Sequence, residues 1–256
     1  AASPEVDAVY IASPNGAHAS QALAMIGGGK HVLVEKALAA NEAQARAVFD
    51  AARERGVVAL EAMRNLHVPT FAAIERIVAS ELGAVRLATL RFSKVTSRMA
   101  RLRAGERLNI FDPALAGGSL MDIGVYCVEP AVALFGRPQT IRALAVTTDV
   151  PGCAEGDPYG TIDLAGEALL GYGDKVVSLS FGKMTDDLLP SQVEGERATL
   201  LWDQTSCPVN PRIHDHEDKG LIFRMEGMTT RPVDVEVPDN DMVCEIDDFV
   251  AAIAGD

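Results

Sequence analysis

Between residues 6 and 61 the chain alternates short apolar runs with helical segments, and no other feature restricts the fold as tightly. Residues 6–12 (VDAVYIA) are rich in β-branched and aromatic side chains and run into Ser13, Pro14, Asn15 and Gly16, which predicts a buried strand ending in a loop. Apolar residues at helical spacing follow from His18 to Ile26 and stop at Gly27, Gly28 and Gly29. Residues 31–35 (HVLVE) predict a second buried strand. Asn41 with Gln44 three residues on has the pattern of a capping box, a helix follows, and Gly56 stands where a C-terminal cap belongs. Residues 57–61 predict a third strand. Strands joined by helices of this length imply right-handed crossovers and a parallel sheet covered on both faces.

Past Pro69, well placed to begin a helix ending near Ser80, the pattern changes to alternation. Residues 85–93, 140–147, 162–171, 175–182, 191–194, 198–202, 212–216 and 221–225 predict short strands. Tight turns such as Gly171-Tyr172-Gly173-Asp174 and Asp218-Lys219-Gly220 join several of them. A long helix from about Ser119 to Phe135 interrupts the strands. A last amphipathic helix, from about Asp241 to Ile253, carries Val243, Ile246, Phe249, Val250 and Ile253 on one face. The expected architecture is a parallel α/β unit, residues 1–66, followed by an α+β domain with a large, mostly antiparallel open sheet, residues 67–256.

Composition narrows the function classes. The 256 residues suffice for one or two domains with a substantial core, and a net charge of −13 would repel a nucleic-acid backbone. No apolar run approaches the roughly 20 residues of a membrane span, so no membrane partner is expected. Cys127, Cys153, Cys207 and Cys244 are dispersed without a C-x-x-C pair, which fits reduced thiols in a cytoplasmic enzyme and suggests neither a zinc site nor a disulfide framework. His214-Asp215-His216 puts two imidazoles on one strand face without an evident third ligand, so a polar strand end is expected there and no metal.

Ligands of a parallel α/β unit usually bind outside the carboxyl ends of its strands. There lie Ser13-Pro14-Asn15-Gly16-Ala17-His18, then Glu35-Lys36-Ala37, then Glu61-Ala62-Met63-Arg64-Asn65, with His67 close behind. Each also has a plain reading, as a capping turn, a solvated Glu-Lys pair and a loop with a surface arginine. A second candidate is Gly117-Gly118-Ser119-Leu120-Met121-Asp122-Ile123-Gly124-Val125-Tyr126. Here Asp122 and Tyr126, four apart, share one helix face, and Pro130 cannot donate to the Tyr126 carbonyl. The plain reading makes Asp122 a cap or ion pair and Tyr126 a half-buried core aromatic. Arg98, Arg101, Arg103 and Arg107 form a basic stretch that reads either as a solvated loop or as a lid that meets an anionic substrate.

Together, Ser13-Pro14-x-x-x-His18, Glu35-Lys36 after a buried strand and the GGSLMDIGVY segment resemble the Gfo/Idh/MocA family of nicotinamide-dependent oxidoreductases, most of all its glucose–fructose oxidoreductase and dimeric dihydrodiol dehydrogenase branch. The resemblance extends over nearly the whole chain. It implies a Rossmann-type parallel sheet whose first strands, with their phosphate-binding glycines, precede Ala1, and a further helix after Asp248-Phe249-Val250. It implies Lys36, Asp122 and Tyr126 as catalytic residues, with Ser13, Pro14, Asn15, His18, Glu35, Lys36 and Arg64 around NADP or NAD. The implied substrate is a sugar, polyol or trans-dihydrodiol, and the implied assembly is a homodimer or homotetramer joined through the antiparallel sheet. Lys36 would favour the Tyr126 phenolate and bring its pKa towards neutrality. Ala37 stands where relatives have proline, so a cis bond there is either lost or made without proline at a cost of about 3 kcal/mol. A non-catalytic dinucleotide-dependent regulator shares the fold, but a sensor has no need of an acid–base pair such as Lys36 and Tyr126.

Overall fold

A computed structural model describes residues 1–216 and 229–255, so the predicted strand at 221–225 and the turn Asp218-Lys219-Gly220 lie outside the described residues. The apolar runs of the first third form a three-stranded parallel sheet, β1 (Ala8–Ile11), β2 (His31–Glu35) and β3 (Ala59–Ala62), in that order. Helices α1 (Asn15–Gly27) and α2 (Glu42–Arg55) cover one face, packing Ala22, Ile26, Val48 and Ala52 against Ile11, Val32 and Val34. The α2 start has the expected cap: the Asn41 side chain accepts from the Gln44 amide at 3.0 Å. The Gln44 side chain accepts from Ala40 at 3.1 Å rather than from Asn41 itself. Gly56 ends the helix at φ 65°, a left-handed position open to a residue without Cβ.

The opposite face is covered only in part. The last helix, α7 (Met242–Ala254), returns to this sheet and packs Phe249 on Leu33 and Ala62. Ala8 and Tyr10 of β1 are exposed and only Ile11 of the strand is buried, where a buried strand covered on both faces was expected. The apolar face expected on α7 is only partly buried: Phe249 and Ile253 pack on the sheet and Glu245 is buried beside them, while Val243, Ile246 and Val250 are exposed.

The remaining strands form one eight-stranded sheet. They are β4 (Val85–Ser93), β5 (Thr140–Asp149), β6 (Thr161–Gly171), β7 (Val176–Gly182), β8 (Ser191–Gly195), β9 (Ala198–Asp203), β10 (Val209–Asp215) and β11 (Arg231–Pro232). Their order is β11-β10-β9-β8-β4-β7-β6-β5, antiparallel throughout except that β4 and β7 run parallel. Alternation sends Leu90, Leu179, Val193, Leu200 and Trp202 to one side. There they meet Phe71, Ile74 and Ile77 of α4 (Pro69–Ser80) and Cys127 and Ala131 of α6 (Val125–Phe135). On the other side of the sheet Leu87, Leu144, Val146, Leu169 and Val176 are exposed, and no helix packs there among the described residues. Two short helices escaped the sequence pattern, α3 (Arg64–His67) and α5 (Met99–Arg103).

The predicted long helix is split. Residues Leu120–Gly124 form a π-helical turn, and α6 continues from Val125. Gly118 has φ 109° and the Asp163 side chain occupies the space of a Cβ there, while an Asp163 carboxylate oxygen accepts from the Leu120 amide at 2.7 Å. A Cβ on Gly124 would stand 3.0 Å from the Phe181 ring, so this turn lies directly against β7. The stretch Pro113–Phe135 is long and apolar enough to cross a membrane by length and composition, against the expectation that no run reaches that length. It contains Asp122 and Glu129, and its Cys127 and Ala131 belong to the core under the sheet. Truncation of the most buried apolar side chain of α7, Phe249→Ala, is expected to cost about 3 kcal/mol in urea unfolding and to expose the helix amides to hydrogen exchange; unchanged stability would contradict this docking.

Candidate active site

The carboxyl ends of β2 and β3 meet the π turn and α6 in a small apolar contact of Ala37, Met63 and Val125, flanked by Leu66, Met121 and Tyr126. Directly beside it lies a chain of three charges. Lys36 Nζ donates to Asp122 Oδ1 at 2.7 Å and to the Asp122 carbonyl at 2.9 Å. The other carboxylate oxygen accepts from Lys183 Nζ. Burial alone would raise the Asp122 carboxyl, but the two ammonium groups together hold it below the ordinary carboxylate range. The Lys36 ammonium stands 5.1 Å from the centre of the Tyr126 ring, and Phe92 meets that ring edge-on at 5.5 Å between centroids.

The Lys36 segment is held from both sides. His18 is fully buried, with Nδ1 2.9 Å from the Ala37 carbonyl and Nε2 2.7 Å from the Ser13 carbonyl. It ties two loops together and has no free ring nitrogen for a ligand. Glu61 Oε1 accepts from the Leu38 amide at 2.7 Å. Between these anchors the Lys36–Ala37 peptide is cis without a proline, the second of the two outcomes that Ala37 left open. Glu35 accepts from the Tyr10 hydroxyl and, at 3.2 Å, from the Lys36 amide.

Tyr126 differs from the sequence expectation. Burial pushes its phenol up, and the opposing pull of Lys36 and Arg64 is smaller, so the side chain keeps its proton at neutral pH. Its carbonyl, orphaned because Pro130 has no N–H, accepts from Asn65 Nδ2 at 3.3 Å, and the same amide donates to Thr205 at 2.9 Å. Arg64 pairs with Asp241 at 3.6 Å, and the Cys207 thiol donates to the same carboxylate at 2.8 Å. His67 is taken up by Asp248 of α7 at 2.6 Å rather than turned to the site.

A cavity of about 550 Å³ opens beside this cluster, lined by Ser13, Pro14, Asn15, Asp122, Arg98 and Arg107 among others. The basic stretch therefore borders the cleft and is not simply a solvated loop. Arg101, also at its wall, pairs with Glu106, and Arg107 pairs with Asp112 at 2.8 Å. Ser13 Oγ is buried without a hydrogen-bond partner, and the first turn of α1 has no side-chain cap because Pro14 precedes it. Away from the cleft, His214 approaches the Thr229 carbonyl at 2.8 Å and His216 the Thr199 hydroxyl at 3.0 Å; no cluster of three metal-ligating side chains occurs among the described residues.

Residues 1–63 match the model of an oxidoreductase family with an NAD-binding Rossmann fold, and residues 71–200 match the GFO/IDH/MocA C-terminal domain. The chain belongs to the Gfo/Idh/MocA oxidoreductase family. It is 38% identical over 210 residues to scyllo-inositol 2-dehydrogenase (NADP(+)) of Bacillus subtilis (strain 168), an alignment covering 81% of this chain and 60% of the relative. It is 44% identical over 153 residues to D-xylose 1-dehydrogenase (NADP(+)) 2 of Haloferax volcanii, covering 59% of this chain and 44% of that protein. The fold matches a crystal structure of an NAD binding oxidoreductase from Klebsiella pneumoniae with a TM-score of 0.79 and 24% identity, over 99% of this chain and 72% of the other. The chain thus spans less than two thirds of the length of the curated relatives it matches.

At this candidate site Lys183 has no place among the sequence expectations and Asn65 enters them only as the end of the Glu61–Asn65 loop, yet each carries a signal. Lys183 continues the inward register of Val177, Leu179 and Phe181 in β7, where an alternating strand would bury the next side chain. Asn65 is the buried donor that the proline-freed carbonyl of Tyr126 requires.

Burial, reinforced by the neighbouring Glu129, lifts the Glu61 carboxyl from 4.5 to about 7. The folded chain then binds a proton that the unfolded chain has already lost, so stability falls as pH rises from 4.5 to about 7. Urea unfolding at about pH 5 and about pH 8 is expected to show a loss of about 1 to 3 kcal/mol that Glu61→Gln abolishes; an equal loss in the variant would refute the assignment.

Proposed function

We propose that this chain is the catalytic part of an NADP- or NAD-dependent dehydrogenase or reductase acting on a CH–OH group of a sugar, polyol or trans-dihydrodiol. The observation that carries the reading is the Lys36 ammonium fixed by Asp122 beside the Tyr126 ring, at the carboxyl end of a parallel sheet. A nicotinamide dinucleotide suits the cleft: Ser13 Oγ is an unpartnered buried donor at its wall, and the amides at the start of α1 lack a side-chain cap. Ser13, Pro14, Asn15, Glu35, Lys36 and Arg64 would hold it, with His18 fixing the loops from behind. When bound, the nicotinamide accepts or supplies a hydride.

The chain's own groups handle the proton and the charge. Tyr126, kept protonated by burial, is suited to give its proton to the carbonyl oxygen of a ketone or aldehyde and to recover it from the hydroxyl in the oxidative direction. Lys36 stabilises the negative charge that grows on that oxygen. Asp122 fixes the direction of the Lys36 side chain. A non-catalytic regulator would have no use for this fixed proton donor beside an ammonium. We place the enzyme in the cytoplasm, where its unpaired cysteines stay reduced.

We also infer a homodimer joined through the uncovered side of the eight-stranded sheet, where Leu144 is 85% exposed and Leu87, Val146, Leu169 and Val176 extend the apolar surface. In the complete protein, Tyr126→Phe and Lys36→Met are each expected to lower kcat by about 10³-fold or more, and in Tyr126→Phe the cofactor affinity, followed by fluorescence quenching, should change little. A fully active Tyr126→Phe enzyme would refute the proton role. Leu144→Asp is expected to give a monomer in sedimentation; native protein that already sediments as a monomer would refute the interface.

A further inference from the structure

Lys183 is 1% exposed, an unusual place for an ammonium group, and among the described residues Asp122 is the carboxylate it pairs with. Its Nζ lies 5.4 Å from the centre of the Phe111 ring, which closes the far side. A buried ion pair adds little stability over apolar side chains of similar volume, so stability alone gives no reason for a lysine at an inward strand position. The neighbourhood supplies another reason. Asp122 with Lys36 alone has no net charge, whereas Asp122 between Lys36 and Lys183 leaves one positive charge in a half-buried cleft.

We propose that Lys183 is a positioning residue of the reaction centre: it grips Asp122 from the buried side and keeps the Lys36–Asp122–Lys183 chain net positive, so that the Lys36 ammonium remains effective towards negative charge on the substrate oxygen. This rests on the roles given above to Lys36 and Tyr126. The groups facing Asp122 are Lys36 from the end of β2, Lys183 from the end of β7 and Tyr126 one turn along its own helix. Arg98, before α5, acts on Lys183, and Arg64 and Glu35 act on Tyr126. Without Lys183, burial acts on Asp122 against one ammonium rather than two, so the carboxylate takes up a proton at higher pH and lets go of Lys36.

The test uses the complete protein carrying Lys183→Met, Lys183→Arg, Tyr126→Phe, Asp122→Asn and the double variant Asp122→Asn/Lys183→Met. For Lys183→Met, kcat is expected to fall on the order of 10²-fold with KM changed less than about threefold, and the acidic limb of kcat/KM to move up by about one pH unit or more. Lys183→Arg keeps the charge and is expected to restore kcat to within about tenfold. A readout without turnover is urea unfolding in the absence of cofactor and substrate: the losses caused by Asp122→Asn and Lys183→Met should be non-additive, the double variant losing less than the sum of the two single losses. If Lys183→Met does not fold, the double variant should be no slower than Asp122→Asn alone. Native kcat and pH profile in Lys183→Met, additive unfolding effects, or a double variant slower than Asp122→Asn would each overturn the inference. An active Tyr126→Phe enzyme would remove the underlying reading as well, whereas a normal Lys183→Met enzyme beside an inactive Tyr126→Phe would remove this inference alone.

Discussion

Asp122 is a carboxylate partly withdrawn from water and held between two ammonium groups that arrive from different sheets. Lys36 follows β2 of the parallel sheet, and Lys183 follows β7 of the antiparallel one. Lys183 is buried, so a register that took Asp122 away would leave its ammonium without that partner, at a cost of several kilocalories per mole, and the two halves of the chain are held to the register in which they meet. The small apolar contact of Ala37, Met63 and Val125 lies beside this chain of charges. The π turn in front of α6 is the backbone consequence. It sets Asp122 where both lysines reach it, and Gly124 lets that turn lie against Phe181 of β7.

Around this centre, side chains that perform no chemistry limit the freedom of those that do. His18 and Glu61 hold the backbone on either side of Lys36, and Asn65 takes the carbonyl that Pro130 leaves unbonded below Tyr126. Helix α7 reaches the same place from the C-terminal end, pairing Asp241 with Arg64 and Asp248 with His67. Burial of this kind has an electrical effect. It raises Glu61 and Tyr126 together, so the cleft stores protons at neutral pH while its lysines supply the positive charge. A protonated phenol beside a fixed ammonium is suited to deliver a proton to an oxygen that is gaining negative charge.

Much of this was legible in the residues. β2 and β4 fall on the boundaries that their apolar patterns imply, and the Asn41 cap and Gly56 stop frame α2 as their chemistry requires. Lys36, Asp122 and Tyr126 could be named because their motifs resemble a known family; spacing alone left Asp122 and Tyr126 as a possible cap and core aromatic. What sequence pattern missed depends on tertiary contact. The apolar stripe Val243, Ile246, Phe249, Val250 and Ile253 predicts the buried side of α7, but only Phe249 and Ile253 of it pack on the sheet. β10 begins earlier than alternation suggests because Asn210, at φ 50°, lies in a register shift between Val209 and Arg212. Lys183 carries no signal of its own beyond an inward register, because its partner Asp122 lies 61 residues away in sequence. The phenol of Tyr126 was misjudged because the neighbouring ammonium is visible in a motif and the depth of burial is not.

On the function proposed above, Lys36, held by Asp122, and the protonated Tyr126 act on one oxygen atom of the substrate. A crystal structure of the complete protein with a nicotinamide dinucleotide and a polyol or sugar should then place one substrate oxygen within about 3 Å of both Lys36 Nζ and Tyr126 Oη. A substrate whose reacting oxygen contacts neither group, with Lys36 still turned wholly to Asp122, would contradict it.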